Sequence, residues 1–153
     1  MKGLIGATGF SNVSSLGIIR DADESSQSAF QSVCDALRDA NLPIPSNPLT
    51  SQGQNPKVTV MILPDENNSG MLEDLCLRSV ESEPEVECVE QYFQCLQQCI
   101  DLPKNISKAK VQAYLASKPK SGLRLGEATQ AGYWPLENKI FDTMENFFQL
   151  ITC

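Results

Sequence analysis

The stretch Leu16-Gly17-Ile18-Ile19-Arg20-Asp21-Ala22-Asp23-Glu24 sets a short apolar run directly against a cluster of acidic residues. Because the run is brief and is bounded by polar residues, it predicts a buried strand of a parallel sheet rather than a helix. Asp21 and Asp23 would then lie at the carboxyl edge of the sheet, where open α/β folds bind their ligands. If the chain stays extended through them, both side chains project to the same side. Two converging carboxylates repel each other unless a cation or a proton lies between them.

A second apolar run, Val58-Thr59-Val60-Met61-Ile62-Leu63, also ends in acidic residues, at Asp65 and Glu66. Between the two runs lie a helical pattern, from Ser25 to about Ala40, and a proline-rich irregular loop, from Asn41 to Pro56. Strand, helix and strand in this order predict a right-handed βαβ unit with two parallel strands. Both acidic strand ends would therefore face the same edge of the sheet.

The remainder of the chain is predicted to be helical. A helix from Met71 to about Val80 carries Glu73 and Asp74 in its first turn, and apolar residues recur at helical spacing from Pro84 onward. Further helices are predicted at Glu85 to Asp101, Ser107 to Ser117, Leu123 to Ala131 and Leu136 to Ile151, whereas Met1 to Val13 has the pattern of a helix end and a connector. These elements predict an α/β fold with a small parallel sheet flanked by helices in Rossmann-like layers. They also predict a helical C-terminal half and a single domain over residues 1–153.

Composition limits the function classes. A chain of 153 residues with 41% hydrophobic and 20% charged residues is typical of one globular domain. No apolar run approaches the roughly 20 residues of a membrane helix, and the apolar start is too short for a signal peptide. These features predict a soluble, cytoplasmic protein without a membrane partner. The chain has no histidine, so no mechanism can use a histidine base or ligand from this chain.

The chain contains six cysteines: Cys34, Cys76, Cys88, Cys95, Cys99 and Cys153. Disulfide frameworks belong mainly to small secreted chains that lack a core, and several of these cysteines lie on apolar helical stripes. We therefore expect reduced and mostly buried thiols. Structural zinc sites usually use C-x-x-C-like pairs, and because the sequence has none, packing in the core is favoured over a zinc site.

The acidic edge is the candidate site, and it comprises Asp21, Asp23, Asp65 and Glu73, with Asp74 beside them. Hard divalent cations such as Mg²⁺ prefer carboxylate oxygens, completed by water and substrate phosphates. Each residue also has an ordinary explanation. Asp23 could cap the first helix, Asp65 could lie on a loop surface, and Glu73 could interact favourably with the helix dipole. Both interpretations stay open at this point.

Charge is strongly segregated in a chain whose formal net charge is −7. An acidic block consists of Glu81, Glu83, Glu85, Glu87, Glu90 and Asp101. It is followed by a basic block, the candidate nucleic-acid-binding surface, that consists of Lys104, Lys108, Lys110, Lys118, Lys120 and Arg124. The basic block could follow a phosphate backbone, pair with the acidic block, or form a solvated face.

Several segments together resemble an uncharacterised bacterial family of Toprim-like fold. They are Leu16-Gly17-Ile18-Ile19-Arg20-Asp21-Ala22-Asp23, Ile62-Leu63-Pro64-Asp65, Gly70-Met71-Leu72-Glu73-Asp74-Leu75, Lys108-Ala109-Lys110-Val111-Gln112-Ala113-Tyr114-Leu115-Ala116 and Gly132-Tyr133-Trp134. Toprim domains occur in topoisomerases, primases and nucleases of the overcoming-lysogenization-defect type. The resemblance implies a magnesium site in which Asp21 and Asp23 hold the metal.

The chain departs from the Toprim pattern at one point. Toprim domains carry a glutamate at the end of an earlier strand, where it acts as a general acid or base, and no acidic residue precedes Asp21 here. Three explanations stay open: the first strand is lacking, Glu73 substitutes for the missing glutamate, or the site is inactive.

The leading hypothesis is magnesium-dependent, nuclease-like phosphodiester chemistry on nucleic acid. Asp21 and Asp23 would bind Mg²⁺, and Asp65 and Glu73 would serve as further ligands or as the catalytic general base. The alternative is a non-catalytic interaction or regulatory module with a Toprim-like fold. The sequence neither indicates nor excludes a homo-oligomer.

Overall fold

The structure is a computed structural model that describes residue 3 and residues 6–152. The chain divides into two compact units. The first, here called the sheet unit, comprises Met1–Met71 and Asp142–Cys153, and the second, the helical unit, comprises Leu72–Phe141. The sequence predicted a single domain over residues 1–153. The division into two compact units does not test this, so it stays a prediction. Part of the Met1 to Val13 segment lies outside the described residues, and its described part contains a short 3-10 helix, Phe10–Asn12.

The chain is an α/β protein, as predicted. The sheet unit contains strands β1 (Ser15–Asp21), β2 (Ser51–Gln52) and β3 (Lys57–Leu63) in the order β1-β3-β2. β1 and β3 pair in parallel, so the predicted βαβ arrangement is confirmed. The expectation of an all-parallel sheet is wrong, because β2 runs antiparallel to β3. The physical reason is the short connection between β2 and β3, which can join only antiparallel neighbours.

Helices cover the sheet from two sides. Helix α1 (Ser26–Asp39) begins at Ser25, whose Oγ accepts a hydrogen bond from the Ser28 backbone N–H at 3.2 Å. Ser25 is therefore the cap, and not Asp23. The buried side of α1 packs with alternate residues of β1 and β3 in a cluster that includes Ala29, Val33, Leu37, Val58, Val60 and Ile62. The final helix of the chain, Asp142–Thr152, contacts β1 and β3 through the other face of the sheet.

The first apolar run forms an edge strand, and the prediction that it is buried is wrong. Within the described part of the chain β1 pairs with β3 alone, and Ile19 remains 42% exposed. The central position belongs to β3, which is buried from Val58 to Leu63. An edge strand lacks a neighbour on one side, so its side chains lose less contact with water than those of a central strand.

The helical unit contains α2 (Leu72–Ser79), α3 (Pro84–Gln97), α4 (Ile106–Ala116) and α5 (Leu125–Gln130), followed by a 3-10 helix, Lys139–Phe141. Their core comprises Cys76, Val80, Val89, Phe93, Val111, Tyr114, Leu115, Ala128 and Trp134. The last predicted helix starts later than expected, at Asp142 instead of Leu136, and is called α6. The Asn138 side chain accepts a hydrogen bond from the Ile140 backbone at 3.1 Å and holds a turn in the place of the first helical residues.

The cysteines follow the prediction only in part. All five described cysteines are free, and Cys34 and Cys76 are buried as expected. Cys88, Cys95 and Cys99 are exposed, so the expectation that most thiols are buried is wrong. Residues such as Val89 and Phe93 form the core-facing side of α3, and the cysteines lie on a separate stripe. Cys153 lies outside the described residues.

Over the described part of the chain, we find no helix whose length and apolar character would allow it to cross a membrane.

Candidate functional site

The carboxyl edge of the sheet brings the two acidic strand ends together. Asp21 is in register with Leu63 in the parallel β1–β3 pair. The Ala22 backbone N–H then donates a hydrogen bond of 2.7 Å to the Leu63 carbonyl, which ties the exit of β1 to the exit of β3. Asp21 and Asp65 therefore lie at the same end of the sheet, as predicted from the parallel βαβ pattern.

Asp23 is positioned by its backbone. Its φ of 51° is left-handed, so the chain does not continue as a strand and the assumption of an extended Asp21–Asp23 segment is wrong. The backbone N–H and carbonyl of Asp23 form two hydrogen bonds of 2.8 Å with Gly70. This bridge holds the loop after β1 against the loop after β3, and it leaves Asp23 exposed.

Asp65 stabilises the loop that leaves β3. Its Oδ1 accepts hydrogen bonds from the backbone N–H groups of Asn67 and Asn68 at 3.0 and 2.9 Å. The Asn68 side-chain amide donates to both carboxylate oxygens, at 2.9 and 3.0 Å. Asp65 thus has a clear structural function as the acceptor of an Asx-type turn. Its predicted role as a general base or further ligand stays a prediction.

Glu73 and Asp74 belong to the helical unit and lie in the first turn of α2. Acidic residues at this position interact favourably with the helix dipole. Asp74 also accepts a hydrogen bond from the Ser107 hydroxyl, which connects α2 to α4. Burial of the Cys76 thiol raises its pKa to about 12, and the negative charge of the half-buried Glu73 contributes to the same shift. The catalytic role of Glu73 stays a prediction.

The described residues contain no group of three or more His, Cys, Asp or Glu side chains placed to hold a metal ion. Asp21, Asp23 and Asp65 lie at one edge of the sheet, but their side chains do not form a complete set of metal ligands. Magnesium does not need such a set, because it commonly uses one or two carboxylates with water and substrate phosphates.

The basic block is partly engaged with the acidic block. Lys110 Nζ lies 2.7 Å from Glu90 Oε2, and Lys118 Nζ lies 2.7 Å from Glu83 Oε2 and 3.0 Å from Glu85 Oε1. The pairing of the two blocks, one of the open alternatives, is thus confirmed for Lys110 and Lys118. The remaining members of the block are exposed; they are Lys104, Lys108, Lys120 and Arg124. These four are the residues of the block that remain candidates for contact with phosphate.

Sequence reasoning missed a polar network inside the helical unit. The fully buried Tyr114 donates a hydrogen bond of 2.7 Å from its hydroxyl to Glu83, and its ring stacks on Trp134 with 5.1 Å between centroids. The Lys118 ammonium lies 4.3 Å from the centre of the same ring. The spacing of four residues between Tyr114, in the last turn of α4, and Lys118, two residues beyond the end of α4, was the available signal. The partner Glu83 lies outside that helix and could not be assigned from sequence.

The network shifts the ionisation of its members. Burial raises the pKa of the Tyr114 hydroxyl to about 12. Desolvation lowers the pKa of Lys118, but its hydrogen bonds to Glu83, Tyr114 and Glu85 outweigh this effect, so the net direction is upward. The hydrogen bond from Lys118 lowers the pKa of Glu85. At neutral pH Lys118 is therefore a cation, Glu85 a carboxylate and Tyr114 a neutral phenol.

Comparison with known proteins gives one match. The family model described as "Protein of unknown function (DUF3226)" matches residues 4–153. No curated protein and no solved structure matches the chain.

Proposed function

We propose that this chain, which belongs to the DUF3226 family of proteins of unknown function, binds Mg²⁺ at the carboxyl edge of its sheet and acts on phosphodiester bonds of nucleic acid. The observation that carries the proposal is the pairing of Asp21 with Leu63 in parallel strands. It brings the acidic ends of β1 and β3 to one edge, where open α/β sheets bind ligands.

The donor set is suited to this ion. Asp21 and Asp23 would hold the metal, and Asp65 would add a further carboxylate from the neighbouring loop. All three offer only oxygen atoms, which hard cations prefer. When bound, Mg²⁺ would stabilise the negative charge that develops on the phosphodiester group.

Metal binding is tested by thermal melting of the full chain in Mg²⁺ or Mn²⁺. A cation that binds only the folded protein raises the melting temperature with concentration, by mass action. We expect this rise in the parent protein and no rise in Asp21→Asn. Asp39→Asn is the matched control, because Asp39 is an exposed aspartate at the end of α1 in the same unit. The control should respond to Mg²⁺ as the parent does.

Nucleic-acid binding is tested by its dependence on salt. Each phosphate contact contributes roughly 0.9 to the slope of log affinity against log salt for duplex DNA. The triple variant Lys104→Ala, Lys108→Ala, Lys120→Ala removes three exposed lysines of the basic block. It should reduce the magnitude of this slope by up to about 2.7. Lys139→Ala, an exposed lysine of the same unit outside the block, is the control and should leave the slope unchanged.

A second candidate function is a non-catalytic interaction or regulatory module. Three candidate site residues favour it, because they already have partners inside the fold. Asp65 accepts hydrogen bonds in its turn, and Lys110 and Lys118 form ion pairs. This candidate is preferred if Mg²⁺ and Mn²⁺ leave the melting curve of the parent unmoved while Asp21→Asn destabilises the metal-free protein. In that case Asp21 is a structural acceptor.

A further inference from the structure

The carboxyl edge of the sheet is strongly negative, and one Mg²⁺ ion does not neutralise it. The ends of β1 and β3 and the residues directly after them carry five carboxylates: Asp21, Asp23, Glu24, Asp65 and Glu66. A divalent ion offsets two of these charges. A nucleic acid strand is itself an anion, with one charge on each phosphate, and the remaining carboxylates repel it. A phosphodiester substrate at this edge is therefore stabilised by any further cation that the protein places there.

Arg20 is the cation that the sheet unit places at this edge. Among the described residues of that unit, the positively charged side chains are Arg20, Arg38 and Lys57. Arg38 lies in the last turn of α1 and is ion-paired with Asp35. Lys57 begins β3 and so lies at the opposite end of the parallel strands. Of these three cations, Arg20 alone is next to the carboxyl end of a strand, as the penultimate residue of β1.

The Arg20 side chain lies on the α1 side of the sheet. Ile18 packs against the cluster beneath α1, whereas Gly17 faces Phe147 of α6. Side chains alternate along a strand, so Arg20 continues the α1 side and Asp21 projects to the α6 side. Because β1 is an edge strand, Arg20 is also exposed to solvent. Arg20 and Asp21 are thus neighbours in sequence that face opposite sides of one edge.

Arg20 takes no part in an ion pair among the described residues. A charge on an edge strand also discourages pairing with another sheet, which is its ordinary explanation. That purpose would be served anywhere along β1, but residues 15–19 carry no charge and Arg20 is at the end where the carboxylates gather. Its guanidinium presents N–H donors in a planar fork that matches the oxygen atoms of a phosphate.

We propose that Arg20 binds a second phosphate of the nucleic acid, next to the phosphate that meets the metal. This inference rests on the proposed function of the same edge. Because Arg20 and Asp21 face opposite sides of the strand end, the phosphate at the metal of Asp21 is not the one that Arg20 contacts. The substrate is therefore a strand with at least two consecutive phosphates, and not a mononucleotide.

Binding of a fluorescein-labelled oligothymidylate, followed by anisotropy in Mg²⁺ and with a gel to confirm that the strand is intact, tests the contact. Arg20→Gln should weaken binding about tenfold at low salt. It should also reduce the magnitude of the slope of log affinity against log salt by about 0.7, the contribution of one contact to a single strand. Arg20→Lys keeps the charge without the fork, so it should retain the slope and recover only part of the affinity.

Arg38→Gln is the matched control, because Arg38 is an exposed arginine of the same unit at the far end of α1. It should bind the oligothymidylate as the parent does. If the parent binds and Arg20→Gln binds equally well, the Arg20 contact is wrong while the proposed function stands. If the parent neither binds the strand nor shows a rise in melting temperature with Mg²⁺, both proposals fail.

Competition by two short ligands tests the number of phosphates. Thymidine 5′-monophosphate carries one phosphate, and the 5′-phosphorylated thymidine dinucleotide carries two. The parent should bind the dinucleotide about tenfold more tightly than the mononucleotide, and Arg20→Gln should bind the two about equally. A parent that does not distinguish the two ligands, or an Arg20→Gln variant that keeps the full preference for the dinucleotide, overturns the proposal.

Discussion

Replacing Tyr114 with phenylalanine removes one hydroxyl group from the core of the helical unit and leaves the ring in place. The lost group donates a hydrogen bond of 2.7 Å to Glu83. Hydrogen bonds to charged groups contribute about 1.5–3 kcal/mol to stability. Glu83 keeps its ion pair with Lys118 at 2.7 Å, so the variant leaves no unpaired carboxylate. We therefore expect a loss near the lower bound, about 1.5 kcal/mol, which lowers the melting temperature by about 3–6 °C in a chain of this size.

Urea unfolding followed by tryptophan fluorescence measures this loss. Trp134 is the only tryptophan of the chain, and its ring stacks on Tyr114, so the signal reports unfolding of the helical unit. Tyr92→Phe is the control, because Tyr92 is 54% exposed and surface substitutions usually change stability by less than about 0.5 kcal/mol.

The pH dependence of the same variant adds a second check. The Tyr114 hydroxyl ionises at about 12 in the folded state and at 10.0 when unperturbed. Between these values the folded chain holds a proton that the unfolded chain has lost, so parental stability falls as pH rises. The Tyr114→Phe variant has no hydroxyl to ionise at this position. Its deficit, which is the difference between its free energy of unfolding and that of the parent, should therefore become smaller above pH 10.0. A deficit no larger than that of Tyr92→Phe, or one that grows over this pH range, would refute the reasoning.

Two further predictions concern packing and thiol reactivity. A Cβ added at Gly17 would lie 2.9 Å from Phe147 Cζ and 3.0 Å from Ile151 Cδ1. Gly17→Ala should therefore destabilise the sheet unit by about 1–3 kcal/mol in chemical unfolding, and Ile151→Ala should cost less in that background than in the parent; additive losses would contradict the contact. In a Cys153→Ser variant, a thiol reagent should modify three cysteines quickly and two slowly, because burial raises the pKa of Cys76 to about 12 and Cys34 is also buried. Five fast thiols, or fewer than five after non-reducing denaturation, would disagree with the structure.

The parts of the fold that local patterns determine were predictable. The two apolar runs, the helix between them and their parallel pairing follow from length, spacing and the handedness of βαβ units. The central position of β3 was not assigned, although the two runs differ in composition. β1 contains Gly17 and Arg20, whereas Val58 to Leu63 carries no glycine and no charge. The antiparallel β2 was missed because two residues are too few to show a period.

The candidate site was predictable only as far as the strands extend. Register fixed Asp21 beside Leu63, but the loops beyond the strands depend on specific hydrogen bonds that no periodicity reveals. The turn around Asp65 and the left-handed conformation of Asp23 are both of this kind. The choice of Glu83 as the partner of Lys118 is likewise a long-range contact, and charge blocks in sequence indicate only that such pairing is available.

An acidic side chain at position 21 and one at position 23 are not equally strong indications of metal binding. Asp23 has a φ of 51°, a conformation that aspartate and asparagine tolerate better than most residues, and its backbone bridges Gly70. An aspartate at position 23 thus has a conformational explanation that needs no ligand. Asp21 ends a regular strand, where the backbone conformation gives no preference for an acidic residue. The charge of Asp21 is therefore the more informative of the two for metal binding, which is why the response of Asp21→Asn to Mg²⁺ decides between the two proposed functions.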